Sequence, residues 1–275
     1  LEGKQQETIN NERIPVQVNF TFGDTVEADT RAATNVNNTS FGLKYSENNN
    51  SIVCLMADDG TESTYAPHEY KVTSSTSLAA EVDNEIYFPS GGNLVNVYGW
   101  YPYNDGSLDF TIQTDQSAKE NYCLSDVLLA NKGTSTLSAS NVVTPASLEF
   151  HHAMAKIVLN IRATSGITVT GVAVNNVKPS LTVSNSAGDY YNTETDAFKS
   201  GVLTTKGDAT SITAYTNSTG FTNATQSVAQ ISPCSRIRWC GAAILRRAAS
   251  RRSTKTGTST FSGTSGAAPT ARSST

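Results

Sequence analysis

Residues 14–22, IPVQVNFTF, alternate strictly between apolar and polar side chains. An extended segment would place Ile14, Val16, Val18, Phe20 and Phe22 on one face, with Gln, Asn and Thr on the other. A period of two is typical of a β-strand with one buried face. The segment therefore predicts a strand packed against a core. The polar stretch that follows, residues 23–40, has no periodicity and predicts an exposed loop.

Short apolar segments recur along the rest of the chain at intervals of about ten residues, with Gly, Pro, Asn and Asp between them. No window of a dozen residues carries the apolar stripe of a helix. The predicted strand segments are 52–56, 68–74, 85–106 (two strands), 107–113, 126–130, 148–161, 166–184 (two strands), 211–215 and 226–232. This pattern predicts an all-β protein built from β-sandwich or barrel layers.

The charges are distributed unevenly along the chain. It has 20 Lys and Arg against 24 Asp and Glu, a net charge of −4. All 24 acidic residues lie before residue 232, whereas eight of the basic residues lie in residues 232–275. Binding of nucleic acid needs clustered Lys and Arg that neutralise phosphates, so the acidic body predicts no nucleic-acid partner. The basic tail alone would bind polyanions without specificity.

Sequence signals for membrane insertion, metals and cofactors are weak. No apolar stretch approaches the roughly 20 residues that a membrane helix needs. Residue 1 is Leu, with no basic-then-apolar signal segment after it, which predicts a processed product. Cys54 and Cys123 each have apolar neighbours and are predicted to be small buried side chains. Cys234 and Cys240 have a spacing that fits no common zinc module, so we predict no cofactor.

Two adjacent histidines, His151 and His152, lie inside the strand-like segment LEFHHAMAKIVLNI. Apolar residues occupy even positions before them and odd positions after them, so the inward face changes within HHAMAK. A bulge or bend must absorb such a change. A His at a bend can hydrogen-bond backbone groups that have lost their ladder partners. We therefore predict a structural role for the pair, and no metal site, because a convergent set of further ligands is lacking.

Several motifs in the first part of the chain resemble those of the fimbrillin family, the pilin subunits of surface fimbriae in Bacteroides and Porphyromonas. Phe150, His152 and Lys156, followed by alternating apolar residues, resemble the central signature of the family. Three more segments agree in order: ADTRAA (28–33), IYFPSGGNLVNVYGWYPY (86–103) and SDVLLA (125–130). The resemblance implies two tandem β-sandwich domains of transthyretin-like, Greek-key topology, which we place at residues 1–163 and 164–275.

The resemblance also implies a function. The chain would be a non-enzymatic structural subunit of cell-surface fimbriae that mediates adhesion, exported as a lipoprotein precursor to the outer membrane. A trypsin-like processing protease would cut after Arg31, and the first strand would leave. A strand from another fimbrial subunit would then fill the vacated groove. The remaining partner would be a receptor on a host or bacterial surface.

The resemblance ends near Pro233. Residues 234–275 contain seven Arg and no acid, and have little strand pattern. Two interpretations stay open. The segment is a non-native, out-of-frame or disordered tail, or it is a true basic tail.

A second function is also compatible with the sequence. Trp100, Tyr101 and Tyr103 form an aromatic cluster that would stack on sugars if it were exposed, as in a carbohydrate-binding β-sandwich of the outer surface. An enzyme is less well supported, because the chain has no GxSxG, P-loop or Rossmann motif.

Overall fold

The computed structural model describes residues 13–23, 52–58, 66–74, 76–184, 187–233 and 257–261. Within these ranges the chain forms strands and one six-residue helix, α1 (Lys119–Leu124). The strands are β1 (Val18–Phe22), β2 (Ile52–Asp58), β3 (His68–Val72), β4 (Ser77–Ala80), β5 (Leu94–Tyr101), β6 (Asp109–Thr111), β7 (Leu128–Leu137), β8 (Val143–Thr144), β9 (Ala146–His152), β10 (Ala155–Arg162), β11 (Val169–Val177), β12 (Ser180–Val183), β13 (Tyr191–Asn192), β14 (Ala197–Phe198), β15 (Leu203–Lys206), β16 (Thr210–Phe221), β17 (Thr225–Ser232) and β18 (Gly257–Phe261). The prediction of an all-β protein is confirmed.

Seven strands close into a barrel-like sheet. Their order is β5, β2, β3, β4, β1, β9 and β7, and β7 pairs again with β5. The short β8 extends the sheet by pairing with the end of β7. All these pairs are antiparallel except β1 with β9, which is parallel. Closure removes the open edges that would otherwise invite aggregation.

A first hydrophobic core fills the barrel. It is formed by alternate side chains of its strands, among them Val18, Phe20, Leu55, Leu148 and Phe150. Strands β2 and β5 are also buried on their outer face. Cys54, Tyr98 and Trp100 point away from the first core and join a second one.

Smaller sheets cover that outer face. Those that contribute to the second core are β15–β12–β6, β16–β11–β18 and β13–β14, whereas a further sheet, β10–β17, packs in the third core. The second core combines barrel residues with Val177, Leu181 and Ile212 from these sheets, and a third, smaller core lies around Val172 and Val228. Strand β6 comes from the first half of the chain and pairs with β12 from the second half. The division into two tandem sandwich domains stays a prediction.

The predicted bend at the histidines is confirmed. Strand β9 ends at His152 and β10 begins at Ala155. Buried positions are even in β9 (Ala146, Leu148, Phe150), whereas in β10 the exposed positions are even (Val158, Asn160, Arg162). The bend carries the chain from the barrel, where β9 pairs with β1 and β7, to a separate sheet in which β10 pairs with β17.

Two expectations about individual strands differ from the structure. Residues 85–88 were predicted as a regular strand but make only an isolated bridge, Tyr87 to Pro15. Prolines at 15 and 89 lack the N–H that a longer ladder needs. Strands β4, β8, β13, β14 and β15 were not predicted, because segments of two to four residues are too short to display a period.

Candidate functional site

The first strand lies in a slot within the barrel wall. Strand β1 pairs in parallel with β9 over five residues, from Val18 opposite Ala146 to Phe22 opposite Phe150. On its other side it pairs with β4 at Val18 and Asn19 only. In the described part of the sheet, β4 and β9 are joined only through β1. The barrel is therefore closed at this point by the first strand of the chain.

The five residues of the predicted apolar face all contribute to the first core. Val16, Val18 and Phe20 are 5%, 2% and 1% exposed, and Ile14 and Phe22 are partly buried against the same cluster. The ring of Phe20 makes edge-to-face contacts with Phe22 and Phe150, at centroid distances of 5.7 and 6.3 Å. The alternation read from the sequence is thus the alternation of core and solvent faces.

The residues before β1 continue the slot. The Val16 N–H donates to the carbonyl oxygen of Ile86 at 2.8 Å, and the Phe88 N–H donates to that of Ile14 at 3.0 Å. The Ile86 N–H in turn donates to the hydroxyl of Tyr70 at 3.1 Å. Burial raises the pKa of Tyr70 to about 12. Residues 14–16 are therefore held by backbone bonds although they are not part of a regular strand.

Two histidines hold the other end of β1. The ring of His152 stacks on Phe22 at 6.4 Å, and its Nδ1 lies 3.0 Å from both carboxylate oxygens of Asp126, which is 1% exposed. Gly23, the residue after β1, donates its N–H to the carbonyl oxygen of Phe150 at 3.0 Å. A Cβ on Gly23 would lie 2.0 Å from Cε1 of His151. Only glycine fits this close approach.

His151 also connects the end of β1 with the β13–β14 hairpin. Its ring is 3% exposed and stacks on Tyr191, with centroids 3.5 Å apart. Tyr191 in turn donates its hydroxyl to Asp196 at 2.7 Å and packs edge-to-face on Phe198. Asn131 on β7 holds the same segment, because its Oδ1 accepts the N–H groups of both Tyr190 and Tyr191. The end of the slot thus rests against a hairpin from the second half of the chain.

The remaining predicted site residues are dispersed. Phe150 is fully buried in the barrel, next to β1. Lys156 is half-buried on β10, opposite Ile231 of β17, and therefore lies in the β10–β17 sheet outside the barrel. Arg31, the predicted cleavage site, lies outside the described residues. Sequence reasoning did not assign roles to Gly23, Asp126 or Tyr191, since nothing local to them indicates that they meet the histidines.

The aromatic cluster proposed as a sugar platform is not exposed, so that interpretation is wrong for these residues. Trp100 and Tyr101 are 2% and 0% exposed, and Tyr103 is half-buried against the second core. The indole N–H of Trp100 donates to Asn104 at 2.7 Å. Burial raises the pKa of the Tyr101 phenol well above its usual range. Trp100 and Tyr101 lie in β5, a strand that is covered on both faces, and Tyr103 lies just after it.

The described residues contain no group of three or more His, Cys, Asp and Glu side chains that could hold a metal ion. They also contain no helix of the length and hydropathy required to cross a membrane. Cys54 is fully buried, as predicted, and burial raises the pKa of its thiol to about 12, whereas Cys123 is only half-buried.

Comparisons with solved structures give weak likenesses. A candidate cell adhesion protein from Bacteroides uniformis is 15% identical, with a TM-score of 0.46 over 82% of this chain and 75% of that one. A candidate cell adhesion protein from Bacteroides ovatus is 18% identical, with a TM-score of 0.49 over 80% and 78%. A fimbrial protein from Bacteroides ovatus is 15% identical, with a TM-score of 0.33 over 80% of this chain and 44% of that one.

The assignment to a family rests on the sequence match alone. No curated protein matches the chain. The family model described as Fimbrillin-like matches residues 30–233, which is well over half of the chain. That range includes the bend at the histidines and ends where the acidic, strand-rich part of the sequence gives way to the basic tail. The chain belongs to the fimbrillin-like family.

Proposed function

We propose that this protein is a structural subunit of cell-surface fimbriae that mediates adhesion and assembles with other fimbrial subunits. Membership of the fimbrillin-like family supports this role. The observation that carries the proposal furthest is the position of β1, which in the described part of the sheet is the strand that joins β4 to β9. In this proposal the chain is exported as a lipoprotein precursor and resides at the outer membrane.

Assembly would begin with cleavage after Arg31. The cut lies after β1 in the chain, so it would separate residues 1–31 from the rest of the protein. Only non-covalent contacts would then hold the strand. If β1 left, β4 and β9 would each expose one row of backbone N–H and C=O groups. The vacated slot would be an apolar groove in the barrel wall.

The energy at stake makes refilling of the groove favourable. Val16, Val18 and Phe20 are almost fully buried, and burial of each such side chain contributes about 1.5–3 kcal/mol. The three together contribute roughly 5–9 kcal/mol, a large part of the 5–15 kcal/mol that stabilises a typical domain. An incoming strand with alternating apolar residues would restore both this burial and the backbone ladder.

The test is digestion of the folded chain with a trypsin-like protease that cuts after Arg but not after Lys, because Lys44 also lies between β1 and β2. Mass spectrometry and size-exclusion chromatography follow the products. We expect cleavage after Arg31, loss of residues 1–31, and larger assemblies in the presence of a fimbrillin with an intact C-terminal strand. Arg31→Ala should stay monomeric under the same conditions. Arg13→Ala is the matched control. Arg13 lies before β1, with its guanidinium over the ring of Tyr87 at 5.7 Å, so cleavage there leaves β1 attached.

Two results would contradict this mechanism. The first is assembly of Arg31→Ala at the rate of the parent chain. The second is a cleaved chain that keeps residues 1–31 bound and remains monomeric even when the intact fimbrillin is added.

Two further proposals concern the organisation of the chain. We propose a division into domains at residues 1–163 and 164–275, supported by the end of the barrel at His152 and the prevalence of later strands in the small sheets. We also propose that residues 234–275 are a non-native tail, although β18 within it pairs with β11. The end of the family match at residue 233 supports this. An intact reading frame through residue 275 in the source DNA, shared by close relatives, would refute it.

A further inference from the structure

An open depression lies along the β11–β16 strand pair. Its volume is about 490 Å³, within the range of small-molecule sites. Side chains along both strands line it, including Ala173 on β11 and Thr213 and Tyr215 on β16. Buried Ile212 and Ala214 alternate with half-buried Thr213 and Tyr215. The depression reaches the third core, because buried Val172 also lines it and Tyr215 packs against that core.

Irregular strand pairing shapes the depression. Gly171 is opposite Thr216 and Val169 is opposite Phe221, so β16 advances five residues while β11 advances two. The extra residues of β16 bulge out as a rim that contains Asn217. A second irregularity separates Val172 and Ala173. Bulges of this kind re-aim side chains and are frequent beside functional sites.

The rim is fixed by local interactions. The side-chain Oδ1 of Asn217 accepts the N–H groups of Thr219 and Gly220 at 2.9 and 3.2 Å. Gly220 has a φ of 62°, and a Cβ there would lie 2.5 Å from the carbonyl oxygen of Val169. The turn therefore requires glycine at this position. Because the Asn217 oxygen is occupied, its amide nitrogen is the group that can donate to a ligand.

The chemistry of the lining is neutral and polar. Among the described residues it combines the hydroxyls of Thr170, Thr213, Thr216 and Ser218 with one aromatic ring, that of Tyr215, and contains no Asp, Glu, Lys or Arg. The floor includes two small residues, Gly171 and Ala173, which leave room beside the ring. Tyr215 is held by an edge-to-face contact with Phe221, at 5.7 Å and 69°. A half-buried ring with fixed orientation offers an apolar face at low entropic cost.

We propose that this depression binds a neutral saccharide, with the C–H face of one sugar ring stacked on Tyr215 and its hydroxyls bonded to the Thr and Ser hydroxyls and the Asn217 amide. The site would supply the adhesive contact of the fimbrial subunit, and in that sense it rests on the function proposed above. The lining does not include Trp100 or Tyr101, whose burial excludes them as a platform. The absence of charge from the described lining residues favours neutral over acidic sugars.

The test is saturation-transfer NMR and titration calorimetry on the full, uncleaved chain. Lactose, maltotriose and chitotriose serve as neutral probes and sialyllactose as a charged probe. We expect millimolar or tighter binding of at least one neutral probe. Tyr215→Ala should weaken it by about tenfold, equivalent to about 1.4 kcal/mol. Tyr215→Phe keeps the ring and should stay within a few-fold of the parent chain.

Two more variants locate the site. Ala173→Gln should fill the depression and abolish binding, while Thr204→Ala, an exposed hydroxyl on β15 outside the site, should change nothing. Circular dichroism and thermal unfolding confirm that each variant is folded. The proposal fails if no neutral probe binds, or if binding survives both Tyr215→Ala and Ala173→Gln. Neither result depends on cleavage or assembly, so failure here is distinguishable from failure of the strand-release mechanism.

Discussion

Replacement of Phe20 by Ala tests whether β1 is a full member of the barrel core. Phe20 is at the centre of the strand and is 1% exposed. Its ring contacts Phe22 within β1 and Phe150 on the neighbouring β9. The substitution removes the ring from the interior but leaves the backbone pairing of β1 with β9 in place. The loss therefore reports on packing rather than on the ladder.

The expected cost follows from burial. Truncation of a buried Phe to Ala destabilises a protein by about 3–5 kcal/mol, which combines lost transfer energy with the cavity left behind. The two edge-to-face contacts, each worth about 0.5–1.5 kcal/mol beyond burial, place Phe20→Ala in the upper part of that range. A typical domain has about 5–15 kcal/mol of stability, so the variant should be folded but marginal.

The assay is equilibrium urea unfolding of the uncleaved chain, followed by tryptophan fluorescence and circular dichroism. Thr21→Ala is the matched control, because Thr21 is the next residue of β1 and its side chain is exposed. We expect the control to cost about 1 kcal/mol or less, the span of strand propensity. Equal unfolding free energies for Phe20→Ala and Thr21→Ala would refute the reasoning, since they would mean that the inward face of β1 contributes no packing.

Two other predictions concern the end of β1 and the buried phenols. Gly23→Ala should destabilise the chain by about 1–3 kcal/mol, because its Cβ would lie 2.0 Å from Cε1 of His151. The loss, measured by urea unfolding, should be smaller when His151→Ala is also present. An equal loss in both backgrounds would exclude the clash. The free energy of unfolding should fall as the pH rises from about 10 towards 12, by up to about 1.4 kcal/mol per pH unit for Tyr70. Burial favours the neutral phenol and raises the pKa of Tyr70 in the folded chain to about 12, above the unfolded value near 10. Tyr70→Phe should make this decline shallower, and an unchanged slope in urea titrations across that window would contradict the assignment.

The parts of the fold that the sequence predicted are those governed by local periodicity. The alternation of residues 14–22 identified both the first strand and its buried face. The change of phase in HHAMAK identified the bend between β9 and β10, since one displaced residue reverses every later side chain. Pro179 marked the break between β11 and β12. Each of these features is determined within about ten residues of chain.

The parts that could not be predicted depend on contacts between distant residues. Nothing near β1 indicates that it pairs in parallel with β9, or that β5 and β7 close the barrel. Strand β5 is buried on both faces, and such a strand lacks the alternation of apolar and polar residues that distinguishes core from surface. From the sequence alone its aromatic residues could therefore be interpreted as an exposed platform. The depression at Tyr215 was missed for a related reason. It arises from the register between β11 and β16, and neither strand alone reveals the bulge.

The histidine motif explains why one short segment connects so much of the molecule. Before the bend, β9 forms one wall of the β1 slot. After it, β10 joins a sheet with β17 that packs in the third core. The chain must turn where two layers meet, so side chains at the turn contact both of them. His152 contacts Phe22 and Asp126 on the barrel side, while His151 stacks on Tyr191 of the β13–β14 hairpin. Departure of β1 would remove Phe22 and Gly23 from these rings, so the hairpin would lose part of its support whenever the slot is emptied.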